Sequence, residues 1–427
     1  MEDKTKKVMK KKFLLKFLNL DHDFSDLKDL VKREFAFLTW DKNYMIRHKA
    51  YVNSKDLSSA LKSLVPRHSY SSAAVYSVPD AKKMSDKGWL GCDFVVDIDA
   101  DHMDLECAHN HDYHFCQKCD YYNTGDPPQK CPECGNSKFD KQQWLCDECL
   151  EASKQEIYKI MNMFKSDFGL MEDDFHVKFS GHRGYHLEIY DSRIREFSSE
   201  DRRQLVDYLT GTNFKPAGTF KFKSGMHSYL GSLMSDPGWH GKIAQKLYDI
   251  LQFDNTAEFE ASYGESALDH SVLNRLYEPE NYRYLKNQLK NENPNWTMNG
   301  FGKVSYSKLL EFLLSEISCE VDVPVSIDIH RLLRLQYSIH GKTGFLVQPV
   351  SLFDLKFYDP LTESLLFNAK SSSDSKDGLM KVKITSDIVP KIRISDYMYG
   401  PYQKGEIIEV PEAAAVFLIC KKVADVF

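Results

Sequence analysis

The chain has 427 residues, of which 42% are hydrophobic and 28% charged, with a formal net charge of -6. That composition excludes a disordered or fibrous chain, and the length allows two or three domains with at least one sizeable core. A negative balance excludes an evenly basic surface. Nucleic-acid affinity would have to come from local clusters such as those at residues 4–16, Arg193/Arg195/Arg202/Arg203 and Arg331/Arg334.

No apolar run approaches the roughly 18 residues of a membrane span. At the N-terminus, Phe13-Leu14-Leu15 is broken by Lys16 and lacks a small-residue cleavage site. An amphipathic helix over 7–20, turning Phe13, Leu14, Phe17 and Leu18 inward, is expected in place of a signal peptide, and with it a cytoplasmic protein and no membrane partner. Residues 33–37 and 44–48 alternate like the two strands of a hairpin around Thr39-Trp40-Asp41-Lys42-Asn43, with Arg47 at its edge. A helix over 54–64 capped by Ser54 and a strand over 70–78 follow.

Phe94-Val95-Val96-Asp97-Ile98-Asp99-Ala100-Asp101 reads as a buried strand. With a period of two, Asp97, Asp99 and Asp101 share one face, where three carboxylates repel unless cations or raised pKa values relieve them. Hard divalent ions take such ligands, usually with substrate phosphates. For an isolated Asp-x-Asp, a solvated strand end explains the pattern equally well.

Seven of the ten cysteines fall between Cys107 and Cys149, six of them in Cys-x-x-Cys pairs. In a large chain without an export signal this spacing points to zinc thiolates rather than disulfides. Cys116, Cys119, Cys131 and Cys134 form a ribbon whose four thiolates would close a structural site. The remainder, Cys107, His109, Cys146 and Cys149, suits a second site of three cysteines and one histidine, with His111 and His114 as competing ligands.

A helix over 150–169 buries Ile157, Ile160, Met161, Phe164 and Phe168 and stops at Gly169. Strands over 175–179 and 185–190 are joined by Ser180-Gly181-His182-Arg183-Gly184. The glycines let backbone approach a ligand, and Ser180, Arg183 and His186 offer donors for phosphate oxygens. Residues 193–300 read as mostly helical, with segments at 199–209 and 241–253. A helix over 306–317 leads to Asp322, a short helix is expected over 327–335 carrying Arg331 and Arg334, and His340-Gly341-Lys342-Thr343-Gly344 follows. Residues 349–410 are β-rich, and a helix over 412–426 closes the chain.

In order, Arg33-Glu34-Phe35-Ala36-Phe37 with Ile46-Arg47, Val96-Asp97-Ile98-Asp99, the Cys/His insertion, Ser180-Gly181-His182-Arg183-Gly184-Tyr185-His186, and the run from Val321-Asp322 through Arg334 to His340-Gly341-Lys342-Thr343-Gly344 resemble the catalytic (small) subunit of archaeal and eukaryotic DNA primases, the archaeal form most closely. The resemblance implies a mixed α/β (α+β) catalytic core with an inserted zinc-binding module and a mostly helical variable subdomain. The expected division is a core over 1–101, 150–192 and 301–427, the zinc module over 102–149 and the helical subdomain over 193–300. It implies that Asp97, Asp99 and Asp322 hold two Mg²⁺ or Mn²⁺ ions. Ser180, Arg183 and His186 would hold the triphosphate, and Arg334 and His340 the incoming nucleotide, with Arg47 nearby. The family's usual single zinc site is matched by Cys107, His109, Cys146 and Cys149, so the ribbon is an addition, and His182 stands where members often carry another residue. The implied activity is synthesis of short RNA primers de novo on a single-stranded DNA template from nucleoside triphosphates, together with a primase large subunit. A two-metal clamp about 3.5–4 Å across suits that chemistry. Alternatives are a primase-polymerase of a repair system or mobile element that uses deoxynucleotides, and a non-catalytic zinc-ribbon nucleic-acid-binding protein.

Overall fold

The structure is a computed structural model that describes residues 1–20, 23–42, 44–215, 221–223, 228–369 and 378–427, with only the backbone at 221–223 and 228–229. Asn43 of the expected turn, and 216–220, 224–227 and 370–377 within the helical and β-rich readings, lie outside the described residues. The fold is mixed α/β and divides into two compact units. One comprises Met1–Tyr158, Met171–Arg203 and Glu320–Phe427; the other comprises Lys159–Leu170 and Gln204–Cys319. Among the described residues no helix is long and apolar enough to cross a membrane.

The first unit is built on two four-stranded antiparallel sheets. In one, Phe94–Asp99 pairs with Gly184–Ile189, which pairs with Phe175–Phe179 and then Gln348–Val350. Strict alternation sorts this sheet into two faces. Phe94, Val96, Ile98, Tyr185, Leu187, Ile189, Phe175, Val177 and Phe179 share the apolar face, and all are buried. The other face carries Asp97, Asp99, His186, Glu188 and Lys178.

Lys178 and Glu188 form a buried ion pair there, and Glu188 also accepts from the Tyr190 hydroxyl at 2.6 Å. Burial alone would raise the Glu188 carboxyl, but Lys178, the Tyr190 hydroxyl and Arg33 outweigh it and hold it at about 2, against an ordinary 4.5. The stability this confers is fully present above about pH 4.5 and lost as pH falls towards 2. Glu188→Gln strands the Lys178 charge, and a loss of about 3–5 kcal/mol is expected from urea unfolding at pH 7. The variant's stability should also vary less than the wild type's between pH 4.5 and 2.

In the second sheet the order is Leu332–Arg334, His68–Ser72, Phe35–Leu38, Ile46–Lys49. The expected 33–48 hairpin is present with a register shift between Phe35 and Phe37. The expected strand over 70–78 is split into His68–Ser72 and Ala74–Tyr76, which belong to different sheets. The short helix expected over 327–335 is instead Val323–Ile327, started by Asp322 and Pro324, and Leu332–Arg334 is a strand. Leu332, Leu333 and Arg334 pair with Ser72, Ser71 and Tyr70, so sheet pairing overrides the local helical pattern. Other adjustments are local. The N-terminal helix is Asp3–Asn19 and buries Thr5, Met9, Phe13 and Phe17, while Leu18 is exposed. Ser54–Leu64 is capped by Asn53, whose side chain accepts from the Asp56 N–H, in place of Ser54. The closing helix is Glu412–Cys420, followed by a strand, Ala424–Val426.

In the second unit, Gly238–Ile250, Thr256–Tyr263, His270–Leu276, Pro279–Gln288 and Lys303–Ile317 are helices. Their periodic residues Ile243, Leu247, Phe259, Leu273, Leu309 and Leu313 are buried, as amphipathic helices require.

Candidate active site

Asp97 and Asp99 close the strand Phe94–Asp99 on its polar face, and the fold brings a third carboxylate beside them. The Asp322 N–H donates to the Asp97 carbonyl at 3.2 Å, and the Asp322 side chain accepts from the Val325 N–H at 3.3 Å as it starts the next helix. Burial pushes the Asp97 carboxyl up to about 7, with Asp99 and Asp322 adding repulsion. Burial also raises Asp99, against the pull of Arg183, His102 and Lys342. His186 stands directly across from Asp97 in the sheet register, its Nε2 3.4 Å from Asp97 Oδ1. Burial holds this imidazole at about 3, so it is neutral, and its Nδ1 is buried without a partner. Gly184 faces Asp99, where a Cβ would stand 1.8 Å from the Ile98 carbonyl oxygen; only glycine allows that approach.

Facing the carboxylates is a basic wall. Asp97, Asp99, Tyr70, Ser180, His182, His186, Arg331, Arg334, His340 and Lys342 line one cavity of about 270 Å³. Gly181, at φ +84°, brings the Ser180–Gly184 turn against His340: a Cβ there would lie 2.6 Å from the His340 Cβ. The Thr343 hydroxyl ties the two loops by donating to the Gly181 carbonyl at 2.5 Å. His340 Nδ1 accepts from the Lys342 N–H at 3.4 Å, and burial with Arg334, His68 and His182 nearby holds the ring neutral. The proton of His340 is therefore on Nε2. His182 stacks on His340 at 5.4 Å and accepts at Nε2 from Lys421 at 2.9 Å. Burial, with Arg183 and Lys342 nearby, lowers the Lys421 ammonium to about 7.

Two clusters of cysteine and histidine each bring four ligand atoms within 4.8 Å of one another. In the ribbon, Cys116 and Cys134 sulfurs are 3.5 Å apart and those of Cys119 and Cys131 3.6 Å. Four sulfurs placed tetrahedrally at about 2.3 Å from one zinc would be about 3.8 Å apart, so the spacing fits that ion and not disulfides. The second cluster is Cys107, His111, Cys146 and Cys149, with Cys107 3.5 Å and His111 Nε2 3.2 Å from Cys149 Sγ. His109, the ligand expected from the sequence, instead turns its Nε2 to Asp104 at 3.0 Å. His111 is placed by the last turn of Glu106–His111, with Nδ1 2.9 Å from Asp112.

The sequence model described as DNA primase small subunit matches residues 137–352, half of the chain. The chain belongs to this family. It is similar to the DNA primase small subunit PriS of Nitrosopumilus maritimus, 28% identical over 397 residues, covering 92% of this chain and 91% of the relative. It is also similar to PriS of Methanosarcina barkeri, 27% identical over 453 residues with 100% and 97% covered, and of Methanothrix thermoacetophila, 28% over 449 residues with both chains covered in full. As a DNA primase small subunit, the protein is an enzyme of the nucleotidyltransferase class that serves DNA replication.

Of the primase residues expected from the sequence, Asp97, Asp99, Ser180, His186, Arg334 and His340 meet at the cavity, with Asp322 at its Asp97 edge. Two do not. Arg183 is buried behind the strand end, where it pairs with Asp101, donates to both Asp112 oxygens at 2.9 and 2.8 Å and to the Trp144 carbonyl at 2.6 Å, and comes within 3.8 Å of Asp99. It braces the carboxylate strand against the cysteine cluster. Arg47 is occupied by the buried Glu34 carboxylate, at 3.0 and 3.3 Å. His102, 3.5 Å from Asp322, and Tyr70 were not expected. Tyr70 had a signal in the alternation of its strand, whereas nothing local marks His102.

Proposed function

We propose that this primase subunit starts short RNA primers de novo on single-stranded DNA, joining ribonucleoside triphosphates with Asp97, Asp99 and Asp322 as ligands of two divalent cations, Mg²⁺ or Mn²⁺. The observation that carries the reading is the single cavity in which Asp97 and Asp99 face Ser180, Arg334, His340 and Lys342. Hard oxygen donors, crowded and partly buried, fit such ions, because a cation relieves the repulsion and burial that raise Asp97 and Asp99. When bound, these cations supply activation of the 3′-hydroxyl and neutralisation of the departing pyrophosphate. The protein's own groups do the rest. Arg334 and Lys342 offset charge on the triphosphate, and the His340 Nε2–H and the Ser180 hydroxyl orient it by donating to its oxygens. Neutral His186 steadies Asp97.

Zinc at the two cysteine clusters would be structural, since all four positions at each are taken by protein ligands. The relatives' designation as small subunits supports a large-subunit partner, with DNA template and nucleoside triphosphates as substrates. Primer synthesis on bare single-stranded DNA, with Mg²⁺ or Mn²⁺ and with or without a candidate large subunit, tests the reading. Ribonucleotide-initiated products are expected. Products from deoxynucleotides alone would assign the chain to the primase-polymerase class, and absence of products under every condition would sink the catalytic reading.

A further inference from the structure

Arg334 is held in the cavity by two residues of the neighbouring strand. In the register of Leu332–Arg334 against His68–Ser72, Arg334 stands directly opposite Tyr70, and His68, two residues away, shares that face. Arg334 Nη1 donates to His68 Nδ1 at 2.6 Å and to the Tyr70 hydroxyl at 2.8 Å, while the guanidinium lies 4.6 Å from the Tyr70 ring centre. His68 is 6% exposed. Its Nδ1 also accepts from the Gly341 N–H at 3.3 Å, and its ring meets His340 edge-on at 5.3 Å.

This geometry has a definite chemical sense. An acceptor of two N–H donors is unprotonated, so His68 is a neutral ring with its proton on Nε2. A carboxylate here would orient Arg334 equally well but would cancel its charge, whereas a neutral imidazole leaves that charge for a ligand. Both bonds fall on Nη1, so the Nε–Nη2 edge, the fork that matches two oxygens of a phosphate, is not used by either. Without this support Arg334 would be drawn towards Asp97, the carboxylate that shares its cavity. The Gly341 contact extends the hold to the His340–Lys342 turn: a Cβ at 341 would stand 3.0 Å from His68 Cε1.

We propose that His68 is a positioning residue that, with Tyr70, fixes the Arg334 guanidinium fork towards the triphosphate of the incoming nucleotide. This rests on the assignment of Arg334 to the nucleotide made above. The test is primer synthesis by the full-length protein over a range of ribonucleotide concentrations, with His68→Leu, His68→Asn, Tyr70→Phe and Arg334→Gln, and with His68→Leu and Tyr70→Phe each added to Arg334→Gln. His68→Leu should lower kcat/KM about tenfold, mostly through KM. His68→Asn, whose amide oxygen stands near the position of Nδ1, should stay within about threefold of wild type. Added to Arg334→Gln, His68→Leu should cost nothing further, because its effect runs through Arg334. Unchanged kcat/KM in His68→Leu beside a damaged Arg334→Gln overturns the inference alone, as does an equal loss from His68→Leu in both backgrounds. An undamaged Arg334→Gln overturns the assignment of Arg334 and the inference with it. Should His68→Leu fail to fold, shown by its melting curve, Tyr70→Phe supplies the same cycle: a KM effect that vanishes in Arg334→Gln supports the inference, and one that persists overturns it.

Discussion

Asp97→Asn is expected to reduce primer synthesis by about 10³-fold or more while leaving the protein as stable as the wild type or more so. The substitution keeps the shape of the side chain and removes one negative charge from a face that Asp99 and Asp322 also crowd. Removing a ligand of a catalytic cation, the role proposed for Asp97, forfeits several kcal/mol of charge stabilisation where it is needed, and each 1.4 kcal/mol is a factor of about ten in rate. In the absence of divalent ions the same change relieves like-charge repulsion. Thermal unfolding at pH 8 without added Mg²⁺ or Mn²⁺ should therefore show a midpoint raised by roughly 2 °C. Asp322→Asn should show the same opposed pair of effects. Asp101→Asn should behave differently, because Asp101 is paired with Arg183 and lies outside the cavity. That variant should lose stability and keep most of its activity. Primer synthesis within tenfold of wild type in Asp97→Asn would remove the carboxylates from the catalytic role.

Much of this site was legible in the sequence because its parts sit on elements with strong periods. The alternation of Phe94–Asp99 placed Asp97 and Asp99 on one face before any pairing was known, and the paired apolar strands around it fix which face is buried. What periodicity does not carry is the direction of a long side chain. Arg183 lies in the expected turn, but a guanidinium reaches several ångströms, and the strongest acceptors within its range are Asp101, Asp112 and the Trp144 carbonyl. Arg47 was claimed by Glu34 for the same reason. The local pattern at Leu332–Arg334 suggests a helix, because nothing near it in the chain marks its pairing partner, His68–Ser72; the link between Arg334 and His68 follows only from that pairing. For the cysteine cluster, His109 and His111 are two residues apart on one short helix, so their rings point in different directions. Spacing alone admits His109, His111 and His114, and among them it is His111 whose Nε2 stands 3.2 Å from Cys149 Sγ.

The two cysteine clusters should respond to mutation in unlike ways. Cys149→Ser is expected to cost at least about 3 kcal/mol and to abolish primer synthesis, whereas Cys131→Ser should release one zinc and leave activity within a few-fold. The asymmetry follows from what each cluster touches. Cys149 lies in the first turn of Asp147–Phe168, is fully buried, and packs with Ala100 and Cys107 beneath the end of the carboxylate strand. The Ser153 hydroxyl lies 3.0 Å from both the Cys149 and the Arg183 carbonyls. Its partner His111 leans on Asp112, the same carboxylate that holds Arg183 and the Trp144 N–H. Loosening this cluster therefore frees Asp112 and Arg183, and through them the end of the strand that carries Asp99. The ribbon thiolates are supported from within: Cys116 receives the Lys118 N–H and the Asn136 amide, both from the ribbon's own turns. None of its four cysteines lines the cavity that holds Asp97 and Asp99, so their loss disorders the ribbon itself. Metal analysis should find two zinc ions per wild-type chain and one in Cys131→Ser, with primer synthesis measured on the same preparations. Equal damage from the two substitutions would show that the ribbon, too, supports the catalytic strand.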